Sequence, residues 1–398
     1  MGHANVAVLA PLQVNNINPA TFVEFTRPTF NVDLRSEYLS FSENNRAQNS
    51  SAQGIQNMSF AFPLINDGRK KRRAGLAFGL TPLTRVGYNL IVDSQVEDIG
   101  DVEYRFTGSG GVNQVFLGLG YDLFVDSART NVLCLGASVN YLFGQINRVR
   151  ATQFPISSLT SSLYRLEQKE FSDVDFHIGV LFKHRFEFYS KTDEATSPAL
   201  FSIGAYLRPS VDVNTFFTQN AYSYVDALPG RNRIDTISYS KRRGATTMPI
   251  KYGVGASLNL NNRWVVAVDY HFTGWSGLSF DGKNQQLNDA SSWNAGLEYL
   301  PDYKSTRFFE SLRYRTGVSY VNGMQALNGG KTIRLGWSGG LGIPLRASLS
   351  SSIFNLGIEI ANRSSQNASV NETFLIIQAG MAITPHRYDG WFTKRKFD

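Results

Sequence analysis

Hydrophobic and polar residues alternate along most of the chain. In residues 132–143, VLCLGASVNYLF, one face carries Leu133, Leu135, Ala137, Val139, Tyr141 and Phe143. The other face carries Cys134, Gly136, Ser138 and Asn140. Successive strand side chains point to opposite faces, so such a segment has one apolar wall and one small, polar wall. The same rhythm returns at 200–210, 252–260, 264–272, 293–299, 312–320 and 354–361. In 264–272, for example, Trp264, Val266, Val268, Tyr270 and Phe272 oppose Asp269 and His271.

The alternating segments run roughly 10 to 18 residues, longer than a globular strand of about five or six. A tilted transmembrane strand needs about 9 to 11 residues. Aromatics sit near segment ends, as with Tyr141, Phe143, Trp264, Trp293, Tyr299 and Trp337, which suits interfacial girdles. A soluble β-sandwich also alternates, and it remains the rival fold. Segment length and aromatic placement predict an all-β, transmembrane antiparallel β-barrel.

Fourteen strands are expected, at 29–43, 54–65, 73–88, 101–125, 130–149, 172–190, 198–216, 248–260, 263–276, 290–300, 309–322, 333–345, 352–363 and 371–384. Their connectors alternate short and long, as in outer-membrane barrels with short periplasmic turns and longer outer loops. The longest expected loops are 89–100, 150–171, 217–247 and 277–289. Keeping that parity requires 101–125 to be one strand, interrupted at Gly108, Ser109, Gly110 and Gly111. Glycine within a strand marks a bulge, a kink or a close backbone approach.

Residues 1–28 refuse the alternation. Their VNNINPATF run places Asn16 and Asn18 beside Pro19 and Ala20, and Asn-Pro marks a turn. The expected organisation is a plug at 1–28, a barrel at 29–385 and a periplasmic tail at 386–398. Irregular backbone at membrane depth is tolerated only when buried in protein or facing water, and a barrel lumen offers both.

Composition agrees with a barrel. Of 398 residues, 42% are hydrophobic, 13% aromatic and only 18% charged. No run of about 20 apolar residues exists to form a membrane helix. The net charge of +7 is scattered apart from RKKRR at 69–73, and basic and aromatic residues do not interleave into a nucleic-acid platform. A single cysteine, Cys134, excludes an intramolecular disulfide framework. No export signal is recognisable, so the signal peptide is expected upstream of this numbering.

The start MGHANVAV (1–8) with its NINPA core resembles the plug of the FadL/TodX family, outer-membrane transporters of long-chain fatty acids and other hydrophobic compounds. Further stretches resemble the branch of that family found in gliding and gut-type Gram-negative bacteria. They are FAFPL (60–64), GLTPLTRVGYN (79–89), FTGSGGVNQVFLGLGY (106–121), NYLFG (140–144) and WFTKRKFD (391–398). The resemblance implies a fourteen-stranded barrel with an N-terminal hatch, embedded in outer-membrane lipid. It also implies passive uptake of a hydrophobic small molecule, a fatty acid or similar, with lateral exit where a strand kinks inward. Residues 108–111 are the candidate for that opening. The alternative is a FadL-like barrel acting as scaffold or shuttle in an outer-membrane secretion or assembly complex, such as the type IX secretion system. Tyr222, Tyr224, Tyr239 and Arg231 in the expected outer loop would then dock a protein partner.

No catalytic, metal or cofactor motif stands out. There is no HExxH, Walker A or GxSxG sequence, and the histidines do not cluster. Enzymatic activity and nucleic-acid binding are not expected. His177, Asp269, His271, Arg313 and Arg315 fall on the polar faces of their strands and are candidate lumen groups. They would bind a polar head or pair with other charges in a wet lumen.

Overall fold

The computed structural model describes residues 1–43, 46–66, 72–97, 99–155, 161–190, 195–227, 230–302, 305, 307–327, 330–345, 352–365 and 370–384. The expected tail at 386–398 and most of RKKRR lie outside these residues.

Among the described residues, eighteen strands form one antiparallel sheet. The first seven are β1 (Thr29–Glu43), β2 (Arg46–Ile65), β3 (Ala74–Val96), β4 (Gly100–Val125), β5 (Asn131–Gln153), β6 (Ser162–Ser190) and β7 (Ala195–Arg208). A hairpin follows, β8 (Val211–Ala227) and β9 (Gly230–Met248). Next come β10 (Lys251–Leu260), β11 (Trp264–Thr273) and the short β12 (Ser279–Phe280) and β13 (Lys283–Asn284). The last five are β14 (Asn288–Tyr299), β15 (Arg313–Leu327), β16 (Gly330–Pro344), β17 (Ile353–Ser365) and β18 (Val370–Ile383). In the wall, β7 pairs directly with β10, β11 with β14, and β18 with β1. The ring therefore closes with fourteen strands, the expected number, and 101–125 is a single strand as the parity required.

The expected inside–outside assignment holds. Val254, Val266, Trp293, Val318, Trp337 and Ile358 lie on the outer surface, each between 43% and 56% exposed. In a membrane protein these side chains meet lipid, so their exposure in water is the signature of a spanning wall. Trp264 stacks on Tyr299 at 4.1 Å near the short-turn end, and Tyr141 on Phe143 at 6.1 Å toward the other end.

The outer loops differ from expectation. Most of 217–247 is the β8–β9 hairpin, and β3 to β6 carry their ladders through much of 89–100 and 150–171. The upper part of β6 leaves β7 and pairs with β8 instead. The result is a sheet standing above the barrel rim. There, both faces of β3 meet water, as the exposed run from Thr84 to Gln95 records with only Val86 half-buried. Tyr224 is fully buried and Tyr222 stacks on Tyr164 at 4.9 Å, so these two tyrosines build this sheet rather than an exposed docking face. Tyr239 is exposed, and the Arg231 side chain lies outside the described residues.

Candidate functional site: the plugged lumen and the seam in its wall

Residues 1–28 run inside the barrel in its short-turn half. Pro19–Glu24 forms a short 3₁₀ helix with Asn18 at its N-cap and Pro19 in its first turn, where a missing N–H removes no bond. Asn18 is fully buried and uses three bonds. Its Oδ1 accepts from the Ala20 N–H at 3.1 Å. Its Nδ2 donates to the Val6 carbonyl at 2.9 Å and to the Val180 carbonyl of β6 at 3.1 Å. One side chain thus caps the helix, ties two parts of the plug together and fixes both to the wall. Asn16 reaches Asn57 of β2 at 3.3 Å, and Ala20 is buried beside Cys134 and Leu181.

The wall makes room for this segment by losing side chains. Gly75, Gly120, Gly136 and Gly179 are cross-strand neighbours in β3, β4, β5 and β6. A Cβ at Gly120 would stand 2.9 Å from the Pro19 carbonyl, and one at Gly136 would collide with the Pro19–Ala20 peptide. Gly204 and Gly255, paired in β7 and β10, receive Val6 in the same way, and Gly296 with Gly317 receive Met1 and Gly2. Phe22, Val23 and Phe25 are at most 2% exposed. Burying side chains of this size is worth about 1.5–3 kcal/mol each.

Charges hold the plug at separate points. Asp269 accepts the backbone N–H groups of Asn5 at 2.5 Å and Val6 at 2.8 Å. Lys183 of β6 pairs with Glu24 of the plug. His3 bonds Glu359 at 3.0 Å, and Glu359 also pairs with Arg334. Arg313 and Arg315 both clamp Glu298, at 2.7 and 2.6 Å. His271 shares a 2.9 Å bond with the Tyr206 hydroxyl. His177 is nearly buried beside the plug, and its Nε2 has no hydrogen-bond partner among the described residues.

Above the plug lies a cavity of about 700 Å³. Plug residues Val8, Ala10, Val14 and Ile17 bound it, with His177, Tyr206, Arg208, Lys251 and Arg315 from the wall. Of the sequence-predicted lumen groups, His177 and Arg315 line this space, while Asp269, His271 and Arg313 are occupied around it. Arg208 pairs with Asp175 and bonds Gln114. Lys251 joins Arg208 and Arg315 among the cations lining the cavity, and it is not one of the sequence-predicted lumen groups. Its two-residue phase with Gly253 and Gly255 was the available signal.

The same cavity reaches Gln56 and Asn57 of β2 and Thr81 and Pro82 of β3. There the wall is unzipped. β2 and β3 pair only from Ile65↔Ala74 to Met58↔Leu80. Beyond this, β2 continues through 46–57 against β1, and β3 through 81–96 against β4. Pro82 can donate no bond, and register shifts near Leu34 and between Pro82 and Thr84 turn both strands at the split. Arg85 reaches across the gap and donates to the Ile55 carbonyl. Residues 108–111 behave differently: their pairing with β3 and β5 is unbroken. Gly110 has φ +100°, and a Cβ there would strike the Gln145 carbonyl. Gly108 lies under the Tyr88 ring. The glycines serve close packing across an intact wall, and the break lies one strand pair away.

Comparison with known proteins agrees with this architecture. The toluene transporter TbuX of Ralstonia pickettii is similar in structure, with 15% identity, 97% of each chain covered and a TM-score of 0.56. A Pseudomonas aeruginosa FadL homologue has 11% identity, 93% of each chain covered and a TM-score of 0.57. The Pseudomonas putida toluene transporter TodX has 14% identity, 96% of each chain covered and a TM-score of 0.51. No curated protein matches the sequence. A family model described as BamG matches residues 1–398.

Proposed function

The chain belongs to the BamG family and is a FadL-type outer-membrane β-barrel, and from that premise we propose that it takes up hydrophobic small molecules passively and releases them sideways. The observation that carries this reading is the continuity of the lumen cavity with the unpaired seam between β2 and β3. Three parts fit in sequence. The lumen-facing side of the projecting sheet offers Val86, Tyr88, Leu90 and Val92 beside Phe106, an apolar surface on which such a molecule can gather. The cavity below has the size of a small-molecule site. The plug blocks a straight passage, and the seam, where no ladder need be broken, leaves a sideways route. Arg85 is the group that must let go of the Ile55 carbonyl.

The test is to clamp the seam. Cysteines replacing Gln56 and Pro82 stand on either side of it, and Cys134 is buried away from reagent. Cross-linking them with a bis-maleimide is expected to stop uptake of a fluorescent long-chain fatty acid by cells carrying the barrel. Uptake that continues at the unclamped rate in the cross-linked protein overturns the lateral route.

A second reading, a subunit of a larger outer-membrane complex, is favoured by the sheet that β3 to β6, β8 and β9 raise above the rim. A stoichiometric partner retained through mild-detergent purification supports it; an isolated barrel does not.

A further inference from the structure

We propose that the open edge of β3 is a strand-addition site, taking an extended segment of another polypeptide with apolar residues at every second position and a carboxylate at its deep end. This goes beyond the uptake reading and stands whether or not a hydrophobic molecule crosses the wall.

The edge is long and unprotected. From Thr84↔Val112 to Val96↔Gly100 β3 keeps an unbroken antiparallel ladder with β4, and its opposite side pairs with nothing among the described residues. Proteins usually blunt such edges with lysine, proline or bulges. Here Pro82 and the register shift stand at the base, and residues 84–96 contain neither lysine nor proline. A regular edge of this kind is a template for one more strand, whose main-chain bonds give affinity and whose alternate side chains give specificity.

The side chains define the occupant. Tyr88, Leu90 and Val92 share the lumen-facing side, each 40% to 52% exposed, and Phe106 extends that side on β4. An added strand places its own side chains at cross-strand distance from these, and period-two apolar residues extend the surface. The other wall of the gap is the edge of β2, which pairs with nothing on this side above Met58 among the described residues, so the space lies within one barrel and favours a single chain over a second barrel. At the base stands the Arg85 guanidinium, which holds the Ile55 carbonyl and has no carboxylate partner among the described residues. A carboxylate arriving there makes a charge-assisted bond in place of a neutral one.

The experiment uses the full chain in nanodiscs. The probe is a peptide of about twelve residues alternating valine with serine and ending in a free carboxylate, long enough to line the edge. Amide exchange at 84–96 is expected to slow about tenfold or more on adding it, because new main-chain bonds must open first. An amidated peptide should protect less, and Arg85→Gln should erase that difference. Leu90→Lys should abolish protection while the barrel keeps its heat-modifiable mobility. The proposal is overturned if exchange at 84–96 is unmoved by the peptide or if a peptide with its valines and serines in blocks protects equally. It is also overturned if a fatty acid alone gives the same protection, or if protection appears only with dimers of the barrel.

Discussion

Asn18 offers a way to separate two roles of one side chain. Asn18→Asp keeps the N-cap acceptor, since aspartate caps as well as asparagine. It removes both donors, and turns a carboxylate oxygen toward the carbonyls of Val6 and Val180. Asn18→Ala removes cap and donors together. Three buried neutral bonds, at about 0.5–1.5 kcal/mol each, put the alanine variant about 1.5–4.5 kcal/mol down in plug seating. At about 1.4 kcal/mol per tenfold this is roughly 10- to 1,600-fold in the seated-to-unseated ratio. The aspartate variant should lose at least as much, because an unpaired buried carboxylate adds its own desolvation penalty. Hydrogen exchange of peptides covering 18–25 in the purified barrel measures the ratio, with β4 and β5 as the internal reference. If Asn18→Asp exchanges like the unmodified protein while Asn18→Ala does not, capping alone seats the plug and the clamp to Val180 is irrelevant.

Three further outcomes follow from the same contacts. Gly136→Val should leave the barrel folded but unable to seat the plug, so that planar bilayers carry steady ion current where the unmodified protein is silent; a folded yet silent variant contradicts the glycine seat. Glu24→Gln leaves Lys183 buried without its counter-charge and should cost about 3–5 kcal/mol of plug seating, read as faster exchange of residues 18–25; unchanged exchange sinks that claim. Cys134→Ser should change the melting temperature little, since a hydroxyl can take over the 3.2 Å bond from Sγ to Asp122, and gross misfolding would show that the thiol's packing matters more.

Legibility in the sequence followed the solvent. Where a strand has lipid on one side and lumen on the other, alternation is enforced, and 252–260 or 354–361 could be read from the residues alone. Above the rim both sides of β9 meet water, so Ile237 and Tyr239 sit among polar residues without period, and the hairpin read as a loop. Asn18 and Pro19 announced a turn, but the bond to Val180 spans 162 positions, and no local pattern encodes it. The seam was the hardest feature. A missing ladder is a property of two strands, and Pro82 alone hints at it. The glycines of 108–111 mimic it in the sequence because one sign, lack of a side chain, serves both bending and tight packing.

The plug's seat has a consequence for the order of events during folding. Residues 1–28 leave the ribosome before any wall strand, yet their contacts lie on β3 to β7, β10, β14 and beyond, with Gly2 bonded to Ser338 across 336 positions. Contacts of such separation form late, after the intervening chain has been ordered. The N-terminal segment must therefore wait, with Phe22, Val23 and Phe25 uncovered, until barrel closure creates the surface that receives it. A defect in closing β1 onto β18 would then show first as an exposed, protease-sensitive N-terminus, well before the strands themselves came apart.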